Sequence, residues 1–570
     1  MEFAMSLLLM LGGVGVFMYG MKQMGQGLEQ GAGSGMRTLF QKINKNRVMN
    51  YGIGLGTTAI IQSSSATSVM TVGLVNADIM TVKQGSGIIL GAKVGTTVTA
   101  FIFAIGLMNK GSFSVSALFA AIAFAGVILG LTTKKDSLQK LSLFLVGFGM
   151  LFVGLEVMVF SINDNPALGE GFAKLFSNDM NPIFLVLCGI VITCLIHSSS
   201  AASGIFVAFL YAGAITSIDQ AFFLMMGANI GTCIDAVLAA VGSNPNGKRV
   251  ALFHVLTSMM GAVLFTIILM IFRAPIVNLF ESTLPDKTWM LAVFNLAYNF
   301  IYTSILLIFL NPLVTLVTKM VKDKKQAEKK LYYIDERLLA TPVIAIEQAL
   351  KEVANMAEIA QKTLDLAFNG LMNEDVSQSK EIAKGEYQVD EITRELASFF
   401  IKLSSKPISA TNEKLLGGLH HAINDIERVG DYAVILAKET NYMRNLEAHF
   451  LDETKEEMRE IYSKVSALYT MGLDSFRTRK TDNLKSIAAR QYEINAMVTS
   501  VKDTHVKRLS SNMYPVEVSK SLYMVLHALQ RVAAHIANVT FSIYSDTGSK
   551  TETFAKMEKS EKKQSGDKPV

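Results

Sequence analysis

Apolar residues form long runs throughout the first 318 positions of the chain. A helix needs roughly 20 mainly apolar residues to cross a bilayer. Runs of this kind predict spanning helices at 3–22, 85–108, 113–131, 141–160, 220–241, 250–272 and 290–318. Two other apolar stretches, 51–77 and 183–213, are each broken at the middle by a polar run, so they are not predicted to be simple spans.

A different pattern begins near residue 340. Apolar residues then recur at three- and four-residue spacing, which is typical of amphipathic helices. This spacing predicts helices at 343–370, 376–403, 411–440, 453–479, 483–510 and 516–544. Their similar pattern of lengths suggests two three-helix bundles. Residues 546–570 contain too few apolar side chains to form a core and are predicted to be disordered.

Charge follows the same division. The first 318 residues carry 28 charged side chains and the remaining 252 carry 73, which excludes a single soluble domain and a nucleic-acid binder with one basic face. Basic residues concentrate near positions 37–47, 134–140, 248–249 and 319–330, whereas the loop at 161–182 is acidic. By the positive-inside rule the basic loops are cytoplasmic. The N-terminus is then outside, the second half is cytoplasmic, and the two broken stretches become re-entrant hairpins.

Two polar motifs occur twice in the membrane half. The run Gln62-Ser63-Ser64-Ser65 recurs 135 positions later as His197-Ser198-Ser199-Ser200, and the segment 91–97 returns as 227–233 with the shared form Gly-Ala-x-x-Gly-Thr. Each copy follows one span and precedes two more, so the halves run in opposite orientation across the membrane. An inverted repeat of this kind is typical of secondary transporters. The alternative is a set of unrelated helices with two polar kinks.

The apolar runs, the charge distribution and the repeated motifs predict an all-α fold. The chain is predicted to be a polytopic membrane protein with inverted repeats and two re-entrant hairpins, followed by a cytoplasmic helical-bundle domain. The predicted divisions are repeat 1 at 1–140, repeat 2 with the last helix at 141–318, a linker at 319–339, a helical domain at 340–545 and a tail at 546–570.

The serine motifs have the chemistry of an ion site. Non-helical backbone inside a membrane has to line a hydrated, protein-walled site, since an unpaired backbone group in lipid costs several kcal/mol. Serine hydroxyls both donate and accept hydrogen bonds, and the N–H groups at the start of the next helix favour an anion. Hydroxyl and carbonyl oxygens suit sodium. The alternative is that the serines and glycines only allow close helix packing.

The doubled motif resembles the type II sodium/phosphate cotransporters, over about residues 1–318. The resemblance implies that Gln62 to Ser65 and Ser198 to Ser200 hold phosphate and sodium, and that Asn229 and Thr232 help to bind sodium. We therefore predict substrate binding at Gln62, Ser63, Ser64, Ser65, His197, Ser198, Ser199 and Ser200. We predict sodium binding or coupling at Thr96, Asn229, Thr232, Lys93 and Asp235.

The sequence differs from that family at three of these positions. His197 stands where the family has Gln, Lys93 where it has Asn, and Asp235 where it has a small neutral residue. Ionisable groups in a membrane are costly and usually functional. Two hypotheses for Lys93 follow: it pairs with Asp235 and replaces a bound sodium, or it faces a hydrated vestibule.

A further family motif, an Arg followed by Ala-x-x-His-x-x-Phe-Asn, is partly kept at Arg249, Ala251 and His254, and Thr257 and Ser258 replace its last two residues. A second, looser copy has Asn295, Tyr298 and Asn299 at the His, Phe and Asn positions. A histidine in such a helix is more often a packing residue than a ligand.

In the second half, Glu386 with Asp390 and Glu427 with Asp431 are carboxylate pairs at i,i+4 spacing, so each pair lies on one helix face. A lone pair of this kind is usually part of a solvated face. However, the segment 427–433, Glu-Arg-Val-Gly-Asp-Tyr-Ala, resembles the PhoU family, in which these carboxylates bind metal. The resemblance implies a PhoU-like domain with one divalent metal site at most, because the corresponding positions further along have lost every carboxylate.

Together these features predict a sodium-coupled inorganic phosphate transporter of a bacterial inner membrane, an importer by alternating access with a cytoplasmic regulatory module. Its partners are phosphate, sodium and membrane lipid, not nucleic acid, and a homodimer is left open. The direction of net flux also stays open, because a carrier follows its gradients. The alternative is a phosphate-sensing membrane protein with a degenerate transport half. An enzyme is not expected, since neither half contains a nucleophile with its base or a phosphate-binding P-loop.

Overall fold

The computed structural model describes residues 2–107, 115–176, 181–284, 286–323, 331–510 and 516–544. Within these ranges every regular element is a helix. The chain divides into two compact units, Met1–Ala327 with Asp335–Ile344 and Glu328–Ile334 with Ala345–Val570. The predicted disorder at 546–570 falls outside the described residues, as does part of the predicted linker.

The first unit contains seventeen α-helices among its described residues. Those of the first sequence repeat are α1 Glu2–Gly31, α2 Gly33–Gln41, α3 Arg47–Ile61, α4 Ser64–Asn76, α5 Val82–Gly95, α6 Val98–Gly106 and α7 Val115–Thr132. Those that follow are α8 Asp136–Asp164, α9 Pro166–Leu175, α10 Pro182–Ile196, α11 Ser199–Tyr211, α12 Ile218–Gly231, α13 Cys233–Ala240, α14 Pro245–Ile271, α15 Arg273–Thr283, α16 Lys287–Ile308 and α17 Leu310–Met320.

Six helical segments are long and apolar enough to cross a membrane: Glu2–Gly31, Val82–Gly106, Asp136–Asp164, Ile218–Ala240, Pro245–Ile271 and Lys287–Ile308. They correspond to six of the seven predicted spans. The seventh, 113–131, corresponds to the shorter helix α7. The last span, predicted at 290–318, ends earlier because the helix is interrupted at Phe309, three residues before Pro312, whose missing N–H cannot continue the ladder.

Both broken stretches consist of two helices with a polar interruption, α3 and α4 in one and α10 and α11 in the other. The two helices of each pair contact one another. The sequence predicted these interruptions. The re-entrant course through a bilayer and the opposite orientation of the repeats remain predictions.

The structure also interrupts two spans that were predicted to be continuous. The stretch 85–108 divides into α5 and α6 at Thr96 and Thr97, and 220–241 divides into α12 and α13 at Thr232. These sites coincide with the repeated Gly-Ala-x-x-Gly-Thr motif. The Thr96 hydroxyl donates to the Ala92 carbonyl at 3.0 Å and the Thr232 hydroxyl to the Ala228 carbonyl at 2.8 Å. Such bonds to the preceding turn bend a helix, and apolar periodicity does not reveal them.

Glycines bring the helices of each repeat into close contact. A Cβ at Gly91 of α5 would lie 1.9 Å from the Tyr51 carbonyl oxygen of α3, and a Cβ at Gly227 of α12 would lie 2.1 Å from the Val186 carbonyl oxygen of α10. These glycines therefore have the packing role that was the alternative explanation for the repeated motifs. The same explanation holds for Gly20 of α1, whose Cβ would lie 2.5 Å from a backbone atom of α8.

After the last membrane helix, the chain returns to the first unit at Asp335. Asn76 Nδ2, at the end of α4, donates to Asp335 Oδ2 at 2.5 Å. A short 3₁₀-helix, Glu336–Ala340, follows, and its fully buried Leu338 contacts α4 at Gly73. Arg337 donates to the carbonyls of Ala239 and Val241 at the end of α13. This segment therefore forms part of the surface of the membrane half.

The second unit consists of six long helices in its described part: α18 Pro342–Asn373, α19 Ser379–Ser404, α20 Ala410–Asn445, α21 Asp452–Thr478, α22 Leu484–Ser510 and α23 Val516–Ser542. Each predicted helix is confirmed, with its ends within a few residues. The two predicted triplets pack on each other as well as internally, since α20 contacts α23 and the α18 ring of Phe368 stacks on Tyr462 of α21 at 3.8 Å.

We predict that Gly91→Ala destabilises the protein. The new methyl group would collide with the backbone of α3, and overpacking of this kind costs about 1–3 kcal/mol. The apparent Tm of the purified protein in detergent should therefore fall by several degrees. Gly52→Ala on α3 is the matched control, because a Cβ there meets nothing within 4 Å. It should leave Tm unchanged or raise it slightly, since Ala favours the helix over Gly by about 1 kcal/mol. Equal Tm values for the two variants would contradict the packing role of Gly91.

Candidate functional site

The first serine motif forms the break between α3 and α4. Gln62 ends α3 in a left-handed conformation, with φ of 59°, and its backbone N–H donates to the Thr58 carbonyl at 2.8 Å. Ser63 is extended, and its hydroxyl accepts from the Ala66 N–H at 3.1 Å, so Ser63 is the N-cap of α4. A left-handed residue other than glycine is uncommon and tends to occur at functional sites.

The second motif has the same local geometry. His197 ends α10 with φ of 57° and donates its backbone N–H to the Thr193 carbonyl at 2.8 Å. Ser198 is extended and caps α11 by accepting from the Ala201 N–H at 3.1 Å. The sequence repeat is therefore also a repeat of backbone conformation.

A buried cavity joins the two motifs. Ser64 and Ser199, the first residues of α4 and α11, both line it, and each side chain is 7% exposed. Neither hydroxyl has a hydrogen-bond partner in the part of the chain that the structure describes. The cavity is lined by residues from five helices and two helix breaks: Ser64, Ser68, Ile89, Ala92, Lys93, Thr96, Ser199, Asn229, Thr232 and His254. The space that the centre of a water molecule can occupy in this cavity is about 10 Å³.

Equivalent positions of the repeats meet at this cavity. Ser64 and Ser199 are one pair, Lys93 and Asn229 a second, and Thr96 and Thr232 a third. Residues more than 130 positions apart in the sequence thus face the same space. The cavity therefore brings together two of the predicted substrate-binding residues and four of the predicted sodium-binding or coupling residues.

Lys93 contributes a buried basic side chain to the cavity. It is 5% exposed and donates to the Ser258 hydroxyl, which in turn donates to the His254 carbonyl at 2.8 Å. Among the described residues no carboxylate pairs with it. The beginnings of α4 and α11, which carry partial positive charge, face the same space. The cavity is therefore positively polarised whenever Lys93 is protonated.

The hypothesis that Lys93 pairs with Asp235 is wrong. Asp235 instead accepts from the Ser65 hydroxyl at 2.5 Å through Oδ2, and its Oδ1 lies 2.7 Å from Nδ1 of His197. The reason is local: α13 turns Asp235 toward the two motif breaks, while Lys93 on α5 reaches toward α14. Ser65 and His197 line a separate, open cleft and do not line the buried cavity.

Other motif residues form the support of the two breaks. The Thr99 hydroxyl donates to Gln62 Oε1 at 2.8 Å and lies 3.4 Å from the Ser200 hydroxyl. This contact links the first motif to the second through α6. Gln62 Nε2 donates to the Ala59 carbonyl at 2.5 Å. Gln62 and Ser200 thus position the serines, and the structure gives them no contact with the cavity.

Sequence reasoning undervalued the polar residues of α14 and α16. His254 is 2% exposed, lines the cavity, and has no partner for Nδ1 among the described residues. Asn295 and Asn299 line a second small cavity that shares Lys93 and Asn229 with the first, and Asn299 Oδ1 is likewise unpartnered. The signal was present, because His254 with Ser258 and Asn295 with Asn299 are polar pairs at i,i+4 spacing in apolar helices.

The predicted metal ligands of the second unit lie on the neighbouring helices α19 and α20. Burial, together with repulsion from Asp390 and Asp431, raises the pKa of Glu386, and burial with repulsion from Asp431 raises the pKa of Glu427. However, the Arg428 guanidinium lies 3.0 Å from Asp431 and that of Arg394 3.3 Å from Asp390. No group of three or more His, Cys, Asp or Glu side chains is arranged to hold a metal in the described ranges. The residue types suit a hard cation, yet the arginines occupy part of the carboxylate oxygens.

Six apolar helices of spanning length and a polar cavity enclosed by interrupted helices define a multi-pass membrane protein, followed by a helical second half. The model of the Na+/Pi-cotransporter family matches residues 16–159 and 165–301, and the PhoU domain model matches residues 353–440. The chain belongs to the Na+/Pi-cotransporter family, carries a PhoU domain, and is by family a phosphate transporter. Members of this family are transporters rather than enzymes.

Named relatives have the same two parts or only one of them. The "Putative inorganic phosphate export protein YjbB" of Salmonella typhimurium is 22% identical over 545 residues, which cover 95% of this chain and 97% of that protein. The "Uncharacterized protein YqeW" of Bacillus subtilis is 30% identical over 286 residues, 50% of this chain and 88% of that protein. "Sodium-dependent phosphate transport protein 2B" of Homo sapiens is 29% identical over 120 residues, 19% of this chain and 17% of that protein.

We predict that divalent metal binding by the second unit, where it occurs, requires the carboxylates of α20. Glu427→Gln with Asp431→Asn removes two of the four negative charges and should abolish Mn²⁺ retained by the full-length protein after desalting, measured by mass spectrometry of the metal. Glu456→Gln with Glu460→Gln, another i,i+4 pair on α21, is the matched control and should have no effect. Equal Mn²⁺ content in both double variants would refute the site.

Proposed function

We propose that this chain is a sodium-coupled carrier of inorganic phosphate that works by alternating access. Phosphate binds between Ser64, Ser199 and Lys93. The observation that supports this proposal is that Ser64 and Ser199, equivalent residues of the two motifs, line one buried cavity together with an ammonium group that has no carboxylate partner in the described part of the chain.

The donors around the cavity match a phosphate ion. The first N–H groups of a helix lack partners within the helix, so the starts of α4 and α11 each offer backbone donors. Ser63 and Ser198 each accept from one of those N–H groups, at Ala66 and Ala201, and among the described residues the earlier N–H groups have no partner. Two serine hydroxyls and the Lys93 ammonium add charge-assisted bonds, which are about twice as strong as neutral ones.

Sodium binds to oxygen atoms beside phosphate in this proposal. The hydroxyls of Thr96 and Thr232 donate their protons to backbone carbonyls, so their lone pairs remain for a cation. Asn229 Nδ2 donates to the Met225 carbonyl at 3.2 Å, and this leaves the Asn229 amide oxygen as an acceptor. The family to which the chain belongs is described as Na+/Pi-cotransporters, which supports sodium as the coupled ion.

The size of the cavity supports a moving carrier. The cavity leaves about 10 Å³ for the centre of a water molecule, which is enough for roughly one water. Phosphate is larger, so the cavity has to widen for binding and close again for transport. Helix breaks at Gln62, His197, Thr96 and Thr232 provide places where short helices move without the loss of a long hydrogen-bond ladder.

The direction of flux depends on the gradients across the membrane. An inward sodium gradient drives uptake, which is the expectation from sequence. Export is the second candidate, because the Salmonella relative that matches both halves is named for phosphate export. We assign the second half, with its PhoU domain, the role of a cytoplasmic regulatory module. In the membrane half, exposed apolar residues of α14 such as Val263 and Ile267 contact lipid in this proposal.

The central prediction is that Ser64→Ala and Ser199→Ala each weaken phosphate transport. Loss of one hydroxyl leaves a phosphate oxygen without its donor, at about 1–3 kcal/mol, which is roughly a 5- to 150-fold loss of apparent affinity. Uptake and efflux of labelled phosphate in proteoliposomes, with and without sodium, measure the effect and the direction of transport.

Ser161→Ala is the control for this experiment, since Ser161 is a buried serine whose hydroxyl bonds only within α8, to the Val157 carbonyl at 2.6 Å. It should transport like the unmodified protein. Normal transport by both motif variants would return the serines to a packing role. Phosphate binding without any transport would instead identify a sensor with a degenerate transport half.

A second prediction concerns the Lys93 charge. We expect Lys93→Asn to retain transport with a steeper dependence on sodium concentration, because a bound sodium ion then has to supply the positive charge that the ammonium supplied. Lys83→Asn, at an exposed lysine on the same helix, is the matched control and should leave the sodium dependence unchanged. An unchanged sodium dependence in Lys93→Asn as well would mean that Lys93 does not act as a tethered cation.

A further inference from the structure

An open cleft lies beside the buried cavity in the first unit. Its volume is about 400 Å³, measured for the centre of a water-sized molecule. Ser65 and His197 come from the two motif breaks, Asp235 from α13, and Arg337 from the segment that follows the membrane helices. Val69 and Leu238 supply apolar wall. A space of this size admits a hydrated anion, in contrast to the buried cavity.

A hydrogen-bonded bridge crosses the floor of this cleft. The Asp235 carboxylate joins the Ser65 hydroxyl, at 2.5 Å, to the His197 ring nitrogen, at 2.7 Å. The Asp235 side chain is 15% exposed and that of His197 is 52% exposed, so the bridge is reached from the cleft. It joins three elements: α4, the break before α11, and α13.

The same three elements also reach the buried cavity. Ser64 precedes Ser65, Ser199 lies two residues after His197, and Thr232 lies three residues before Asp235. Each element therefore presents one residue to the cavity and a near neighbour to the cleft. The three bridged elements therefore contribute residues to both spaces, and their separation would connect the cavity with the cleft.

We infer that the cleft is the access path of the transported anion and that the Ser65–Asp235–His197 bridge is the gate between the cleft and the binding cavity. The identity of the anion as phosphate rests on the proposed function, whereas the gate does not. The bridge suits this role because its bonds are reversible and its groups face water on one side. An arriving phosphate ion also competes with Asp235 for the Ser65 hydroxyl and for the His197 ring.

Arg337 belongs to the fixed wall and not to the gate. Its guanidinium binds Asp335 at 2.7 Å and donates to the Ala239 and Val241 carbonyls. These bonds engage the guanidinium with groups other than Asp235. The gate therefore depends on the carboxylate, the imidazole and the hydroxyl alone, and substitution of any of the three should loosen it.

The test measures access to the cavity and needs no transport. In the full-length protein with Cys188, Cys194 and Cys233 replaced by serine, Ser68→Cys places one thiol in the cavity wall, at a position that is 1% exposed. The rate of its reaction with a hydrophilic thiosulfonate reagent in detergent is the readout. We expect slow labelling with the bridge intact and at least about tenfold faster labelling in Asp235→Ala. Ser65→Ala and His197→Ala, which each remove one bond, should give smaller increases.

Asp219→Ala is the matched control, since Asp219 is a buried aspartate of the same unit that pairs with Arg273 at 2.5 Å, away from the cleft. It should label slowly. An unchanged rate in a folded Asp235→Ala, or in both single-bond variants where Asp235→Ala does not fold, would overturn the gate. So would an equal increase in Asp219→Ala. Inorganic phosphate added to the open variant should slow labelling; absence of this protection would count against phosphate binding in the cavity and leave the gate intact.

Discussion

The structure depends on one constraint, the cost of unpaired backbone groups inside a membrane. A helix that stops there leaves N–H and C=O groups without partners, and lipid offers none. The two motif breaks of this chain satisfy their backbone groups locally. Gln62 and His197 return their N–H groups to the preceding turn, and the serine that follows each caps the next helix. In the proposed function, the N–H groups that remain at the starts of α4 and α11 bind the phosphate ion.

Glycine packing then determines where those sites lie. Close contact of α3 with α5 at Gly91, and of α10 with α12 at Gly227, fixes each serine motif beside the threonine break of the same repeat. The packing role of the repeated motifs and their proposed role in ligand binding therefore concern different residues. The glycines set the distance between helices, and the hydroxyls and amide that follow them line the cavity.

Much of this arrangement was predictable from sequence, because its determinants are local. Apolar runs located the spans, a polar run marked each motif break, and apolar spacing located the six helices of the second unit. The breaks at Thr96 and Thr232 were not predicted, since a threonine bonded to its own helix leaves the hydropathy pattern unchanged. The tertiary partners of polar side chains were also not predictable from sequence. The symmetry of the repeats suggested that Asp235 pairs with Lys93, whereas Asp235 bonds to His197 and Ser65. The cavity role of His254 depended likewise on which face of α14 turns inward.

The separation of Lys93 from Asp235 has an electrostatic consequence for the whole site. Had they paired, the ammonium would be neutralised by a carboxylate in a low-dielectric interior, and an anion would have to displace that carboxylate to bind. His197 and Ser65 instead give Asp235 partners of its own on the cleft side. Lys93 keeps only the neutral Ser258 hydroxyl as a partner among the described residues. In the proposed function, the three residues in which this chain differs from the type II cotransporters are therefore linked: Lys93 serves anion binding best when Asp235 has partners elsewhere, and His197 is one of the two residues that bond to Asp235.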